Sequence, residues 1–458
     1  MTVQVLEADY LVIGAGAMGM AFVDEILTQN PTDLVILVDK HAKTGGHWND
    51  AYSFVSLHQP AAFYGVNSEK LGSGGAALAS GSEVLSYYER VLVKLLETGR
   101  LRHFPMCESV GKGRFRSLVE LDLEYQVTVR KKTVDATYMK VQVPSIREPR
   151  FSVSSEISLV PPNDLPGVRK PRSGYVIIGA GKTGMDATLF LLDRGVDPDH
   201  ISWIIPNDAW LLDRALIQPG RVMDEGLGGQ FQNIADANSL TELLSSLEAD
   251  ERLLRLDKDV WPTKYRCATV SRRELEQMRQ IKNIVRMGRV VRIDAESIVL
   301  EQGSIPTNSE KLHVDCTADG LARREIRPVF DRDTITLQSL FMCQQVFSAA
   351  VIGNVEVRVA DEQRKNELCQ VVAHPEFSRD FVMAMSISMK NMENWGREFG
   401  MWIRRSRLSM VHHDSTLKLL RGAFRARKIM PVALEKMQLI IEQEFGVAGT
   451  EGSVESAG

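Results

Sequence analysis

The chain has 458 residues, a formal net charge of −4 at pH 7, and 44% hydrophobic and 25% charged residues. This length allows two or three domains with complete cores, and the composition is that of a globular protein, which excludes disordered and fibrous classes. The charge balance gives no basic footprint for nucleic acid, and no apolar run approaches the length of a membrane span. The N-terminus contains acidic residues and enters a strand directly, unlike a targeting segment, so we expect a cytoplasmic protein.

An apolar strand over residues 9–13 runs directly into a glycine-rich turn, which opens a helix. In such a G-x-G-x-x-G turn the first glycine permits the bend, the second lets the backbone approach a pyrophosphate, and the third lets helix and strand pack closely. Unpaired N–H groups and the positive dipole at the helix start then hold the phosphates. The turn therefore predicts a dinucleotide site. Its predicted contacts are Gly14, Gly16, Ala17, Met18 and Gly19.

A second apolar strand, residues 33–38, ends at an acidic residue about 20 positions beyond the glycine turn. This residue is Asp39, and a carboxylate here accepts the hydroxyls of an adenosine ribose and repels a 2′-phosphate. The first site is therefore predicted to bind FAD or NAD in preference to NADP. Asp39 and the adjacent Lys40 are its next predicted contacts.

Two adjacent glycines and a tryptophan follow this acidic strand end, in the run Gly45, Gly46, His47, Trp48. Adjacent glycines suit a place where backbone approaches a ligand closely. Here the sequence resembles the flavin-containing and Baeyer–Villiger monooxygenases, in which a Gly-Gly-x-Trp segment follows the ribose acid and runs along the FAD. The resemblance implies FAD as the first cofactor, with Gly46, His47 and Trp48 in contact with it. The family fingerprint is divergent, because residues 165–173 keep a Pro-Gly but lack its phenylalanine and histidine.

The same glycine signature recurs after the strand 175–178 and again opens a helix. Two copies a domain apart predict an enzyme with two dinucleotides, FAD at the first and NADPH or NADH at the second. The next strand, 201–205, ends in proline and asparagine and not in an acid, which favours NADPH. Its 2′-phosphate would need a cation, either Lys182 or Arg214, although Arg214 is equally a candidate for an ion pair. The predicted contacts are Gly179, Gly181, Lys182, Thr183, Gly184 and Arg214.

Together these motifs predict an α/β protein with two Rossmann-like dinucleotide-binding domains, the FAD domain being interrupted by the NAD(P) domain, and a helical C-terminal region. Residues 221–290 are predicted as a helical insertion that either caps a substrate pocket or serves packing, with 225–231 as a loop. The predicted divisions are 1–172 for the first part of the FAD domain, 173–320 for the NAD(P) domain, 321–365 for the return to the FAD domain, 366–447 for the helical region and 448–458 for a disordered tail.

The five cysteines lie far apart and form no C-x-x-C or similar pair: Cys107, Cys267, Cys316, Cys343 and Cys369. Disulfide reductases relay electrons through a close cysteine pair beside the flavin, so the spacing argues against that class. The same scatter argues against a zinc or iron–sulfur site, and no metal is predicted. We expect five buried free thiols in a reducing compartment.

The sequence contains no recognisable Ser-His-Asp or metal constellation, which suits a flavin enzyme because the cofactor carries the redox chemistry. His58 and Tyr64, after the Gly-Gly-x-Trp segment, are the candidate catalytic side chains, and a structural role for His58 is the more frequent alternative. We predict an FAD-dependent, NAD(P)H-using oxidoreductase that oxygenates a small organic substrate with O2. The alternatives are a flavin dehydrogenase or oxidase with a structural second domain, and a dinucleotide-binding sensor without turnover. No nucleic-acid partner is expected, and homo-oligomerisation stays open.

Overall fold

A computed structural model describes residues 2–72, 78–141, 143–317, 323–411 and 416–446. The predicted tail, 448–458, lies outside these residues. The strands are β1 Thr2–Ile13, β2 Val35–Val38, β3 Leu101–Phe104, β4 Cys107–Gly111, β5 Arg114–Ser117, β6 Leu123–Asp135, β7 Ser152–Val153, β8 Ser158–Val160, β9 Tyr175–Ile178, β10 Ile201–Ile204, β11 Ala209–Asp213, β12 Leu253–Leu254, β13 Lys264–Val270, β14 Asn283–Val285, β15 Val290–Ile293, β16 Ser297–Leu300, β17 Gly303–Pro306, β18 Leu312–Asp315, β19 Phe330–Asp331 and β20 Thr334–Thr336. The helices are α1 Ala17–Gln29, α2 Gly81–Glu97, α3 Lys182–Asp193, α4 Arg221–Asp236, α5 Leu240–Ala249, α6 Arg272–Met278, α7 Gln345–Arg358, α8 Glu362–Leu368, α9 Asp380–Arg405 and α10 Thr416–Phe445.

The first sheet has the strand order β19-β20-β6-β1-β2-β3, with the β4–β5 hairpin joined to β6. Its strands from β20 to β3 are parallel. All of β2 is buried, as expected for a parallel strand covered on both faces. Ile13, Val38, Asp135 and Thr336 are in register, so the carboxyl ends of four strands meet at one edge.

The second sheet has the order β14-β10-β9-β18-β8 and is parallel throughout. Ile178, Ile204, Val285 and Asp315 lie in register at its carboxyl edge. Two smaller sheets accompany it, β12-β11-β13 and β17-β16-β15-β7. The predicted α/β class with two Rossmann-like sheets is confirmed. The strands β7 and β8 precede residue 172 and nevertheless pair with β15 and β18.

The helices α4 and α5 of the 221–290 region share a core with the C-terminal helices α9 and α10. The prediction of a loop over 225–231 is wrong, because these residues lie inside α4. Each helical glycine costs about 1 kcal/mol relative to alanine, but Phe231 and Ile234 bury their side chains in this core together with Met437 and Ile440. Packing against α10 therefore outweighs the local propensity. The region also contains β12, β13 and β14, so it is only partly helical.

The prediction of five free thiols is also wrong. Cys267 in β13 and Cys343 before α7 form a disulfide with an S–S distance of 2.12 Å. The two residues are 76 positions apart, and they meet because both pack in the core that contains α4, α5, α9 and α10. The prediction failed because the distance between two cysteines along the sequence does not tell whether the fold brings them together. The remaining cysteines are free and buried: Cys107, Cys316 and Cys369.

Candidate dinucleotide sites

The first glycine turn joins β1 to α1 at the carboxyl edge of the first sheet. Gly14 has φ of +105°, a conformation that favours glycine. A Cβ on Gly19 would lie 2.0 Å from the Gly14 carbonyl oxygen, so this position requires glycine for the helix to pack on the strand. No side chain caps α1, whose N-cap is Gly16. The turn is therefore a backbone cradle with an uncapped helix start, which fits a pyrophosphate and places Ala17 and Met18 in the first helical turn.

The Gly-Gly segment packs directly on this turn. The Gly45 amide donates to the Ala15 carbonyl at 2.9 Å. A Cβ on Gly46 would lie 2.9 Å from the Gly16 Cα, so a side chain there would push the two backbones apart. Gly45 and Gly46 have φ of +118° and +57°. The structure thus brings together two segments that the sequence assigned to one cofactor.

Asp39 follows β2 at the same edge and is 6% exposed. Its Oδ2 accepts from the Ala15 amide at 2.6 Å, and its Oδ1 accepts from the His41 amide at 2.7 Å. The His41 ring bridges Asp39 and Asp50 at 2.9 and 3.0 Å. Burial raises the pKa of Asp39, but the hydrogen bonds from His41 and Ala15 outweigh burial and leave the pKa lowered. Asp39 is therefore an ionised acceptor at the position expected for a ribose, and the adjacent Lys40 is exposed.

Trp48 and Tyr64 are joined by a hydrogen bond from the indole Nε1 to the phenol oxygen at 2.7 Å. The His47 ring stacks on Trp48 with a centroid distance of 5.4 Å. Burial lowers the pKa of His47 to about 4 and raises that of Tyr64 to about 12. Both side chains are consequently neutral at physiological pH. Tyr64 is held in an aromatic cluster with Trp48 and Tyr88, which is a supporting position beside the Gly-Gly segment.

The second glycine turn reproduces the first. Gly179 has φ of +121°, and a Cβ on Gly184 would lie 2.1 Å from the Gly179 carbonyl oxygen. The Trp203 indole donates to that carbonyl at 2.8 Å. Gly181 is the N-cap of α3, has no capping side chain, and would meet nothing within 4 Å if it carried a Cβ. Thr183 lies in the first turn of α3, so this cradle also presents an uncapped helix start.

Both cations predicted for the second site are already paired. Lys182 forms an ion pair with Asp186 one helical turn away. Arg214 is 7% exposed, donates to Glu274 at 2.8 Å and donates to the His58 carbonyl at 3.0 Å. Of the two roles predicted for Arg214, phosphate binding and an ion pair, the structure shows the ion pair.

Sequence reasoning missed a charged pair at the end of β10. Arg286 donates to both oxygens of Asp208, at 2.8 and 3.1 Å, and lies 3.2 Å from Asp257. Asp208 lines a small cavity, with room for about one water molecule, together with Ala180 of the glycine turn. The only signal in the sequence was an acid four residues beyond the strand. The other lining residues are Met185, Trp203, Ile205, Ala209, Leu211, Leu256 and Met278.

The segment after the Gly-Gly turn links the two cradles. The Tyr52 hydroxyl donates to Asp186 at 2.6 Å, and the Phe54 ring stacks on Phe190 of α3 at 4.2 Å. The His58 Nδ1 is buried and has no hydrogen-bond partner among the described residues. Burial, followed by the positive charges of Lys182 and Arg214, lowers the pKa of His58 to about 3. His58 is therefore a neutral imidazole in the segment that connects the two turns.

Within the described ranges, no helix is long and apolar enough to cross a membrane. No group of three or more metal-ligating side chains occurs in that same part of the chain.

No family model matches the chain. It is 46% identical over 423 residues to the uncharacterized proteins Rv2000 and MT2056 of Mycobacterium tuberculosis and Mb2023 of Mycobacterium bovis, and each alignment covers 89% of this chain and 78% of the relative. A cyclohexanone-bound structure of cyclohexanone monooxygenase in its rotated conformation aligns with a TM-score of 0.50 and 10% identity over 97% of this chain and 99% of that chain. A flavin monooxygenase from Stenotrophomonas maltophilia aligns with a TM-score of 0.49 and 15% identity over 79% of this chain and 98% of that chain. The cyclohexanone monooxygenase alignment shows that the chain has a flavin monooxygenase-like fold.

Proposed function

We propose that this chain, which belongs to the family of the mycobacterial proteins Rv2000, MT2056 and Mb2023, is an FAD-dependent oxidoreductase that takes its electrons from NADH or NADPH and oxygenates a small organic substrate with O2. One observation carries the proposal. Two glycine cradles with uncapped helix starts lie on two separate parallel sheets, and the segment 52–58 connects them. An enzyme that passes electrons between two dinucleotides needs this arrangement.

The first cradle is the FAD site in this proposal. The amides at the start of α1 hold the pyrophosphate, and ionised Asp39 accepts the ribose hydroxyls. Gly45 and Gly46 keep the second wall of the cradle free of side chains, since backbone approaches backbone there. The bound flavin supplies the redox chemistry, namely hydride acceptance and reaction with O2. The protein binds and orients it and excludes water around Trp48 and Tyr64.

The second cradle is the pyridine nucleotide site. The start of α3 holds the pyrophosphate, and the adenosine lies over the end of β10, beside Ala180 and Asp208. Asp208 and Asp257 together carry one more negative charge than Arg286 balances, a net charge of about −1 for the three groups at neutral pH. A ribose diol suits this corner, whereas a 2′-phosphate would add negative charge to it. We therefore propose NADH as the preferred donor, in contrast to the preference for NADPH inferred from the strand end alone.

In this proposal the strands up to β6 and the return segment 321–365 build the FAD domain, and 173–320 builds the nucleotide domain. The predicted boundary at 172 comes too late, because β7 and β8 pair with β15 and β18. The helices α4, α5, α9 and α10 then form one helical layer. His58 is the candidate group at the junction, since its neutral imidazole has a buried, unpartnered Nδ1. Its proposed role is to hydrogen-bond a ligand between the two cradles.

The test is anaerobic reduction of the purified protein. We expect a yellow protein that NADH bleaches, followed on admission of O2 by reoxidation and transfer of one oxygen atom to a substrate. A yellow protein that no pyridine nucleotide bleaches would favour the dehydrogenase or oxidase alternative. Reoxidation that yields hydrogen peroxide with every substrate offered also contradicts oxygenation. A colourless protein that does not take up FAD would contradict both enzyme hypotheses and leave the dinucleotide-binding sensor as the remaining alternative.

A further inference from the structure

The wall segment, residues 61–69, borders the proposed FAD site, because its Tyr64 hydroxyl accepts the hydrogen bond from the Trp48 indole at 2.7 Å. Its helical turn is short, Ala61–Phe63, and the rest of the segment is irregular. Backbone carbonyls outside helices and sheets need hydrogen-bond partners from elsewhere when they are buried. Other elements of the fold must therefore hold the wall segment in place.

Arg407, two positions beyond the end of α9, supplies partners for three of these carbonyls. Its guanidinium donates to the carbonyl oxygens of Ala62 at 2.9 Å, Tyr64 at 2.6 Å and Val66 at 2.7 Å. Three different nitrogens make these bonds, namely Nη1, Nη2 and Nε. A planar guanidinium presents its donors in a fixed fork, whereas lysine offers a single flexible point charge. The fork therefore holds the three carbonyls at fixed positions relative to one another, which lysine could not do.

The same part of the chain also contacts the helix that begins at the first glycine turn. The Trp402 indole donates to the buried Glu25 of α1 at 2.6 Å. The Ser406 hydroxyl donates to Asn67 of the wall segment at 2.8 Å, and Asn67 in turn donates to Glu25 at 2.8 Å. Residues 402–407 therefore join α1 to the wall segment, although the sequence assigned them to a separate helical region.

We propose that Arg407 is a positioning residue of the first dinucleotide site. It fixes the backbone of Tyr64, so that the Tyr64 hydroxyl holds Trp48 close to the Gly-Gly segment. This role rests on the proposed FAD site and deepens it, since it assigns one wall of that site to the chain after α9. Because these contacts involve protein groups alone, they order the wall segment independently of the cofactor, and less of the ordering cost falls on binding.

The first test measures amide hydrogen exchange in FAD-free protein. The Val66 amide donates to the Tyr87 hydroxyl at 2.8 Å, so this amide is protected while the wall segment stays in place. Arg407→Lys should speed its exchange about tenfold, as expected for the loss of bonds from a charged donor. Arg405→Lys is the matched control, because Arg405 is exposed in the last turn of α9, and it should exchange at the wild-type rate. Unchanged exchange in Arg407→Lys overturns the inference.

Chemical rescue keeps the test decisive should Arg407→Lys fold poorly. Methylguanidinium added to Arg407→Ala is expected to restore slow exchange of the Val66 amide, whereas methylammonium, which lacks the fork, is not. Exchange that methylguanidinium does not slow counts against the proposed contact.

The second test follows FAD binding by flavin fluorescence in the intact chain. Arg407→Lys should weaken binding about tenfold, and Tyr64→Phe, which removes the acceptor for Trp48, should weaken it as well. If Arg407 acts through Tyr64, the double variant binds FAD no more weakly than the weaker single variant, whereas independent losses multiply. Multiplying losses, or wild-type affinity in Arg407→Lys, overturn the positioning role and leave the FAD proposal intact. A wild-type protein that binds no FAD overturns both.

Discussion

Replacement of Gly16 by alanine separates the ligand role of the first glycine turn from its structural role. Gly16 has φ of −76° and ψ of −176°, which any residue adopts. The new Cβ would lie 3.6 Å from the Gly46 Cα, an ordinary van der Waals contact. A glycine-to-alanine change at a compatible position raises the free energy of unfolding by about 0.4–1 kcal/mol, because it restricts the unfolded chain. We therefore expect the FAD-free Gly16→Ala protein to be as stable as the wild type or slightly more so.

FAD binding should respond in the opposite direction. The second glycine of the turn is the one whose backbone approaches the pyrophosphate, so the added methyl group occupies part of the ligand's space. Overpacking of this kind costs about 1–3 kcal/mol, which corresponds to about 5- to 150-fold weaker binding. Titration of the FAD-free protein with FAD, followed by flavin fluorescence, measures the dissociation constant. Urea unfolding of the same sample measures the stability.

Two further glycines are the controls. In Gly19→Ala the Cβ would lie 2.0 Å from the Gly14 carbonyl oxygen, so we expect the free energy of unfolding itself to fall by about 1–3 kcal/mol. Gly181→Ala places a Cβ in open space at the second turn, so stability and FAD binding should persist while pyridine nucleotide binding weakens. A Gly16→Ala protein that binds FAD with wild-type affinity would refute the proposed approach of pyrophosphate to this turn.

Three other changes test single contacts. In FAD-free protein, His41→Gln should lower stability most below about pH 6.5, the ordinary pKa of histidine, and progressively less as the pH rises. The reason is that the hydrogen bond to Asp39 raises the pKa of His41, and the stabilisation is lost as pH rises through that raised value. A pH-independent loss of stability in urea unfolding contradicts the pairing. Asp208→Asn should weaken NADH binding about tenfold, because it removes a charged hydrogen-bond acceptor worth about 1.5 kcal/mol. The same change should strengthen NADPH binding. An unchanged ratio of the NADH and NADPH dissociation constants contradicts the proposed contact between Asp208 and the ribose. Trp203→Phe removes the donor to the Gly179 carbonyl and should cost about 1–3 kcal/mol of unfolding free energy, whereas a loss below about 0.5 kcal/mol would show that this hydrogen bond is not needed.

The sequence predicted the fold well where local signals and global topology agree. Each glycine turn was recognised between a buried strand and a helix, and each lies at the carboxyl edge of a parallel sheet. Asp39 was recognised because it ends the strand directly after the first turn. These features depend on backbone conformation and on short spacings, which a single sequence displays. The assignment of individual residues to cofactors stays a prediction.

The sequence failed where a residue's state depends on a distant partner. The helix α4 contains three glycines, and it forms because Phe231 packs against a helix about two hundred residues later in the chain. Cys267 and Cys343 pair across 76 residues. Arg214 was a candidate for phosphate binding, yet Glu274 lies 2.8 Å from it. The charge and the redox state of a side chain depend on which distant residues it contacts in the fold, so a local sequence motif does not indicate them.

The two glycine turns are close copies in backbone geometry and differ mainly in the charges around them. A Cβ on the third glycine would meet the first carbonyl at 2.0 Å in one turn and 2.1 Å in the other. The first turn has an ionised Asp39 hydrogen-bonded to its own Ala15 amide. Beside the second turn, the carboxylate belongs to Asp208, which lies beyond the end of β10 and accepts a hydrogen bond from Arg286. If each turn holds a pyrophosphate as proposed, the two turns would not distinguish one dinucleotide from another. The proposed choice of nucleotide would then come from these carboxylates, each of which would repel a 2′-phosphate.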